Sequence, residues 1–173
     1  MIKMKKFALI LAFLMLLTSL TGCANKILPK ECPDDFSFSL TWGAYGTSSY
    51  DSRTGKLVKT TDATNPEEYV TYLHLSDKTL DYFYGLLRDH DVESIPDEYD
   101  PDRHTMCTPS SALTVTVRAG GRTKTVMVDD MAASRIAYIG KCKKYIETCT
   151  AIRDFLMQTE EWKALPEYEF FYD

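Results

Sequence analysis

Phe36, Phe38, Leu40 and Trp42 alternate with Ser37, Ser39 and Thr41, which places the apolar side chains on one side of an extended chain and the hydroxyls on the other. This period of two predicts a half-buried strand. Strands over Ser48–Asp51 and Lys56–Thr60 follow, joined by Ser52-Arg53-Thr54-Gly55, where Gly55 can supply the positive φ that a hairpin loop needs. Tyr69 to Leu75, rich in β-branched and aromatic residues, is a further strand after the Pro66 loop. A second hairpin pairs Ala112–Arg118 with Arg122–Asp129 around Gly120-Gly121, and Leu113, Val115 and Val117 alternate on its first arm.

Between and after these strands the period changes. Ser76 offers an N-cap and Asp77 a favourable first-turn charge, and Leu80, Phe83, Tyr84 and Leu87 recur at helical spacing, so a helix is expected over Asp77–Asp89. From Ile136 to Gln158 the apolar positions Ile139, Cys142, Tyr145, Ile146, Cys149, Ile152, Phe155 and Leu156 trace one stripe of a long helix with a charged opposite face. Hairpins with helices as separate units predict an α+β fold, an antiparallel sheet of hairpins packed against two helices. The aromatic end of the chain, Tyr168, Phe170, Phe171 and Tyr172, is either a last strand sealing the sheet or a patch for a partner.

The first residues follow neither period. Lys3, Lys5 and Lys6 precede an apolar run from Phe7 to Leu17, too short to span a bilayer, and small polar residues close it. That order marks a secretory signal peptide. Leu20, Thr21, Gly22 and Cys23 resemble the lipobox of bacterial lipoproteins. The resemblance implies a diacylglyceryl thioether on Cys23, cleavage just before it, and a domain held at the outer face of the plasma membrane. An ordinary signal peptide cut nearby would leave Cys23 a plain thiol. Residues 1–22 are thus expected to leave, 23–35 to act as a lipidated tether broken by Pro29 and Pro33, and 36–173 to form one globular domain.

Composition sharpens the location. Loss of the first 22 of 173 residues removes three lysines, so 17 basic side chains face 25 acidic ones and the mature net charge is −8. A surface that acidic argues against nucleic acid and repels an anionic membrane, so contact with the membrane falls to the lipid anchor. The succession of hairpin-like units and helices, together with "SIPDEY" and "EEWKALPEYEFFY", resembles a group of uncharacterised lipoproteins from Gram-positive anaerobes. That resemblance implies fold and location and carries no activity.

Export permits disulfides, and Cys32, Cys107, Cys142 and Cys149 remain after Cys23. Cys142 and Cys149 lie about 10.5 Å apart along one helix axis, too far to pair. Cys32 with either of them and Cys107 with the other are the pairings left. The alternative is that Cys142 and Cys149 are reduced core residues in the apolar stripe. The spacing lacks the short ligand pairs of structural zinc.

Chemical motifs are sparse. His74, His90 and His104 belong to no metalloprotease or nucleophile-elbow motif, and no glycine loop suits a phosphate. Ser110 and Ser111 lie near His104 and Asp102, but adjacency along a loop does not build a triad. Two surfaces carry hypotheses. Asp97, Glu98, Asp100, Asp102 and His104 gather ligand atoms that Ca²⁺ could use, against a reading as a solvated acidic loop. Trp42, Tyr45 and Tyr50 beside Gly43 and Gly46 could stack on a sugar or peptide, against a reading of Trp42 as core. No cofactor is expected. The expected function is a non-catalytic binding module for a protein or cell-envelope component, with a small-ligand or metal-binding receptor as the alternative and a hydrolase behind it.

Overall fold

A computed structural model describes residues 28–43, 48–60, 68–99, 112–128 and 140–167. The strands are β1 (Ser37–Trp42), β2 (Ser48–Asp51), β3 (Lys56–Thr60), β4 (Glu68–Tyr72), β5 (Glu98–Tyr99), β6 (Leu113–Ala119) and β7 (Arg122–Val128). The helices are α1 (Asp77–Asp89), α2 (Gly140–Met157) and the short α3 (Glu160–Lys163). The fold is α+β. One sheet runs in the order β4-β3-β2-β1-β6-β7-β5, antiparallel throughout except where β5 joins β7 in parallel.

The two hairpins sit on either side of β1, which pairs with β2 on one side and with β6 on the other. Because opposed residues share a face, the registers align Leu57, Tyr50, Leu40, Val115 and Val126 in one row across five strands. This apolar face meets Phe83, Tyr84 and Leu87 of α1 and Cys142, Tyr145, Cys149 and Ile152 of α2 in a single core. Phe83 packs edge-on against Phe38 of β1, with ring centres 5.7 Å apart, and against Phe155 of α2 at 5.2 Å. The Tyr145 hydroxyl reaches into the sheet. It accepts from the Val115 amide at 3.2 Å and lies 2.9 Å from the Leu113 carbonyl and 2.8 Å from that of Val126, to one of which it donates.

Helix α1 starts where its cap predicts, with the Ser76 hydroxyl accepting from the Thr79 amide at 3.2 Å. The β2–β3 turn is built by Asp51, whose carboxylate accepts from the Arg53 and Thr54 amides, and by Gly55 at φ 73°. Three short elements were not expected, one of them a 3-10 turn over Val92–Ser94. Helix α3 is capped by Thr159 and is a single turn, too short to show a period, and the two-residue β5 falls where the acidic loop was read.

The boundary of the folded part also moves. The chain from Leu28 onward was expected to be tether, yet Leu28 is 4% exposed and its amide donates to the Glu93 carboxylate. The Tyr84 hydroxyl donates to the Pro29 carbonyl, Arg88 to that of Lys30, and the Asp35 carboxylate accepts from the Gly120 and Gly121 amides at 2.8 and 2.7 Å. A proline-punctuated segment can dock without regular structure when side chains of a neighbouring helix satisfy its carbonyls. Order therefore begins at least eight residues before Phe36.

Candidate functional site

The helices that seal the core all lie on one side of the sheet. On the other side the same registers produce two rows running from edge to edge. Tyr72, Lys56, Asp51, Ser39, Thr116 and Thr125 form one; Val70, Val58, Ser49, Thr41, Thr114 and Met127 form the other. Ser37, Arg118 and Thr123 lie beyond the first row, where an Arg118 guanidinium nitrogen sits 3.9 Å from the Asp51 carboxylate. The Thr116 and Thr125 hydroxyls bond each other at 2.9 Å. No described helix covers this face. Its centre is a flat array of hydroxyls, Val58 and Thr60 are buried at the β3 corner, and the exposed Tyr72 stands at its rim.

That rim is the outer edge of β4. The Leu73 amide donates to the Gly55 carbonyl at 2.8 Å, which sets the alternation along β4. Thr71 and Tyr69 therefore turn their main-chain groups toward β3, and Glu68, Val70 and Tyr72 turn theirs outward. Val70 is 44% exposed and Tyr72 is 62% exposed. The opposite edge is blunted. There β5 has only two residues, Pro96 precedes it, and Asp97 is tied to Lys124.

The expected stacking platform is not at the surface. Trp42 is 3% and Tyr50 is 1% exposed, because both lie on the apolar side of their strands. The Tyr50 hydroxyl donates to the Leu73 carbonyl at 3.0 Å, and burial pushes its pKa up to about 12. Trp42 packs on Trp162 of α3 with ring centres 5.5 Å apart, and the Lys59 ammonium lies 5.2 Å from the Trp162 ring centre. Tyr45 lies outside the described residues. Of the acidic candidates, Asp97 is engaged by Lys124 and Glu98 opens β5, while Asp100, Asp102 and His104 lie outside the described residues with Ser110 and Ser111. Among the described residues no three His, Cys, Asp or Glu side chains gather as metal ligands.

Cys32, Cys142 and Cys149 are free thiols, so neither pairing of Cys32 with the helix is present; Cys107 lies outside the described residues. Cys142 and Cys149 are core residues of α2, and burial pushes the Cys149 thiol up to about 12. Cys32 lines a groove of about 310 Å³ with Asp34, Phe36, Asp77, Leu80 and Asp81. Burial there, helped by the Asp81 carboxylate, raises its thiol to about 11, which leaves it protonated and a poor nucleophile near neutral pH. His90 is structural. His90 Nδ1 and the Thr148 hydroxyl share a hydrogen bond, and that hydroxyl also reaches the Lys144 carbonyl, which ties the end of α1 to α2.

The hydroxyl rows and the outer edge of β4 were not singled out from sequence. The signal was present, since Ser37, Ser39, Thr41, Thr114 and Thr116 are the polar half of the same alternation that places the core. No family model and no curated protein matches the chain. Among the described residues, no helix is long and apolar enough to cross a membrane.

Proposed function

We propose that the chain is a lipid-anchored binding module on the outer face of the plasma membrane, without catalysis, and that the hydroxyl-rich face of the sheet is where it meets a protein or cell-envelope component. The observation that carries this is the polar stretch that both rows share across β2, β1 and β6, extended in the first row by Lys56 and Thr125, with no described helix over it. A flat array of donors and acceptors suits an extended polar surface better than a small molecule, which needs concavity to lose its water. Tyr72 adds a ring at the rim that can stack, and the Asp51–Arg118 pair adds charge of both signs. The anchor rests on the lipobox residues Leu20 to Cys23.

Two measurements test it. With Cys23→Ala, the protein should lose its lipid mass and leave the membrane fraction; retention of both sinks the anchor. That unlipidated chain should still co-sediment with cell walls stripped of membrane, and adding Thr114→Lys and Thr125→Lys, which crowd the hydroxyl rows, should weaken sedimentation about tenfold, roughly 1.4 kcal/mol. Equal sedimentation at an unchanged thermal midpoint would remove the open face as the site. The groove at Cys32 favours a second reading, a receptor for a small cation. In that case small amines, and not envelopes, would raise the thermal midpoint.

A further inference from the structure

Among the described residues, no strand pairs with the outer edge of β4. Its five residues, Glu68-Tyr69-Val70-Thr71-Tyr72, contain no proline, lysine or bulge, and a single charge, Glu68, at one end, so little keeps this edge from pairing. Three residues, Glu68, Val70 and Tyr72, face outward with main-chain donors and acceptors, and the Val70 and Tyr72 side chains stand exposed beside them. Such an edge accepts another strand.

We infer that the strand it accepts is β4 of a second copy of this chain, antiparallel, on a two-fold axis through Val70. The register follows from which residues face outward. Centring on Val70 sets Glu68 opposite Tyr72 of the second copy, Val70 opposite Val70, and Tyr72 opposite Glu68, so that all three outward residues of each strand are paired. A shift by one residue pairs only two of them, and a shift that centres on Glu68 sets like charges against each other. Side-chain chemistry agrees with the central register. The Glu68 carboxylate meets a phenol that can donate to it, twice by symmetry, and two valines meet at the axis.

Whole-molecule geometry agrees as well. An axis through an edge-to-edge antiparallel pair stands normal to the sheet, so both hydroxyl faces point the same way and both helical layers lie on the other side. The seven strands of each copy become one continuous sheet. The polar rows described above would then be doubled in length.

Cysteine scanning on cells producing the full chain tests this, read as gel mobility after mild oxidation. In a hydrogen-bonded antiparallel pair the opposed Cα atoms lie about 5.5 Å apart, within disulfide reach. Val70→Cys should give a band at twice the chain mass that the native chain lacks. Glu68→Cys and Tyr72→Cys should each give none alone, because identical positions lie about 13 Å apart along the strands. Produced together, those two should give the band. The mixed pair decides the matter if Val70→Cys does not fold. Absence of the doubled band from Val70→Cys and from the mixed pair overturns the inference. Equal bands from every single variant overturn the register. A cross-link of any other mass overturns the second copy as occupant and leaves the proposed function standing, since that reading rests on the open face.

Discussion

The Tyr145 hydroxyl is buried among three main-chain groups. It bridges β6 and β7 from α2, and burial, the main cause, raises its pKa far above the ordinary phenol value. Tyr145→Phe keeps the ring but removes the buried hydroxyl's bonds to main-chain groups that the β6–β7 ladder already engages, so we expect a loss of about 0.5–1.5 kcal/mol, read from urea midpoints. Asp35 works at the surface. Its carboxylate is held below the usual range by the Gly121 and Gly120 amides, so its contribution is complete above the unfolded pKa and is lost as pH falls through the lower folded value. Thermal midpoints of the native chain and Asp35→Asn should therefore differ at neutral pH and converge below about pH 4. Convergence on raising the pH instead would contradict the capping role.

At the scale of elements, most boundaries were legible because two periods alternate along the chain. Helix α1 matches its expected span, since a cap and a stripe both mark it; β2 and β3 match theirs through the turn between them. What was missed was shorter than a period, namely α3, the 3-10 turn Val92–Ser94 and β5, and β4 ends at Tyr72 rather than running to Leu75. The stacking platform failed for a different reason. Trp42 belongs to the buried set of β1, and a glycine beside an aromatic says nothing about which face it takes. Gly55 shows an element depending on one atom. A Cβ there would lie 2.8 Å from the His74 ring and 2.9 Å from the Leu73 carbonyl, at a φ that side chains avoid. Gly55→Ala should cost about 1–3 kcal/mol by differential scanning calorimetry. Protection of the β3 amides should fall first in hydrogen exchange.

For the molecule as a whole, the fold class could be read from the alternation, whereas the docking of residues 28–35 could not, because irregular chain has no period to read. Its worth is measurable. A chain beginning at Phe36 loses the burial of Leu28, the bonds from Tyr84 and Arg88, and the Asp35 cap. Leu28 alone represents about 1.5–3 kcal/mol. For a domain of this length the thermal midpoint should drop by at least about 3–6 °C against a chain beginning at Ala24. An unchanged midpoint would mean that the segment only rests on α1.

The docked segment also acts on orientation. Leu28 is packed beside α1 and Glu93, in the helical layer, and lies only five positions after Cys23. Fully stretched, those five steps span about 17 Å. With a lipid on Cys23 that short leash would keep the helices toward the bilayer and present the hydroxyl face to the cell exterior, so that the docked residues 28–35, rather than any contact with lipid, would set which way the module looks.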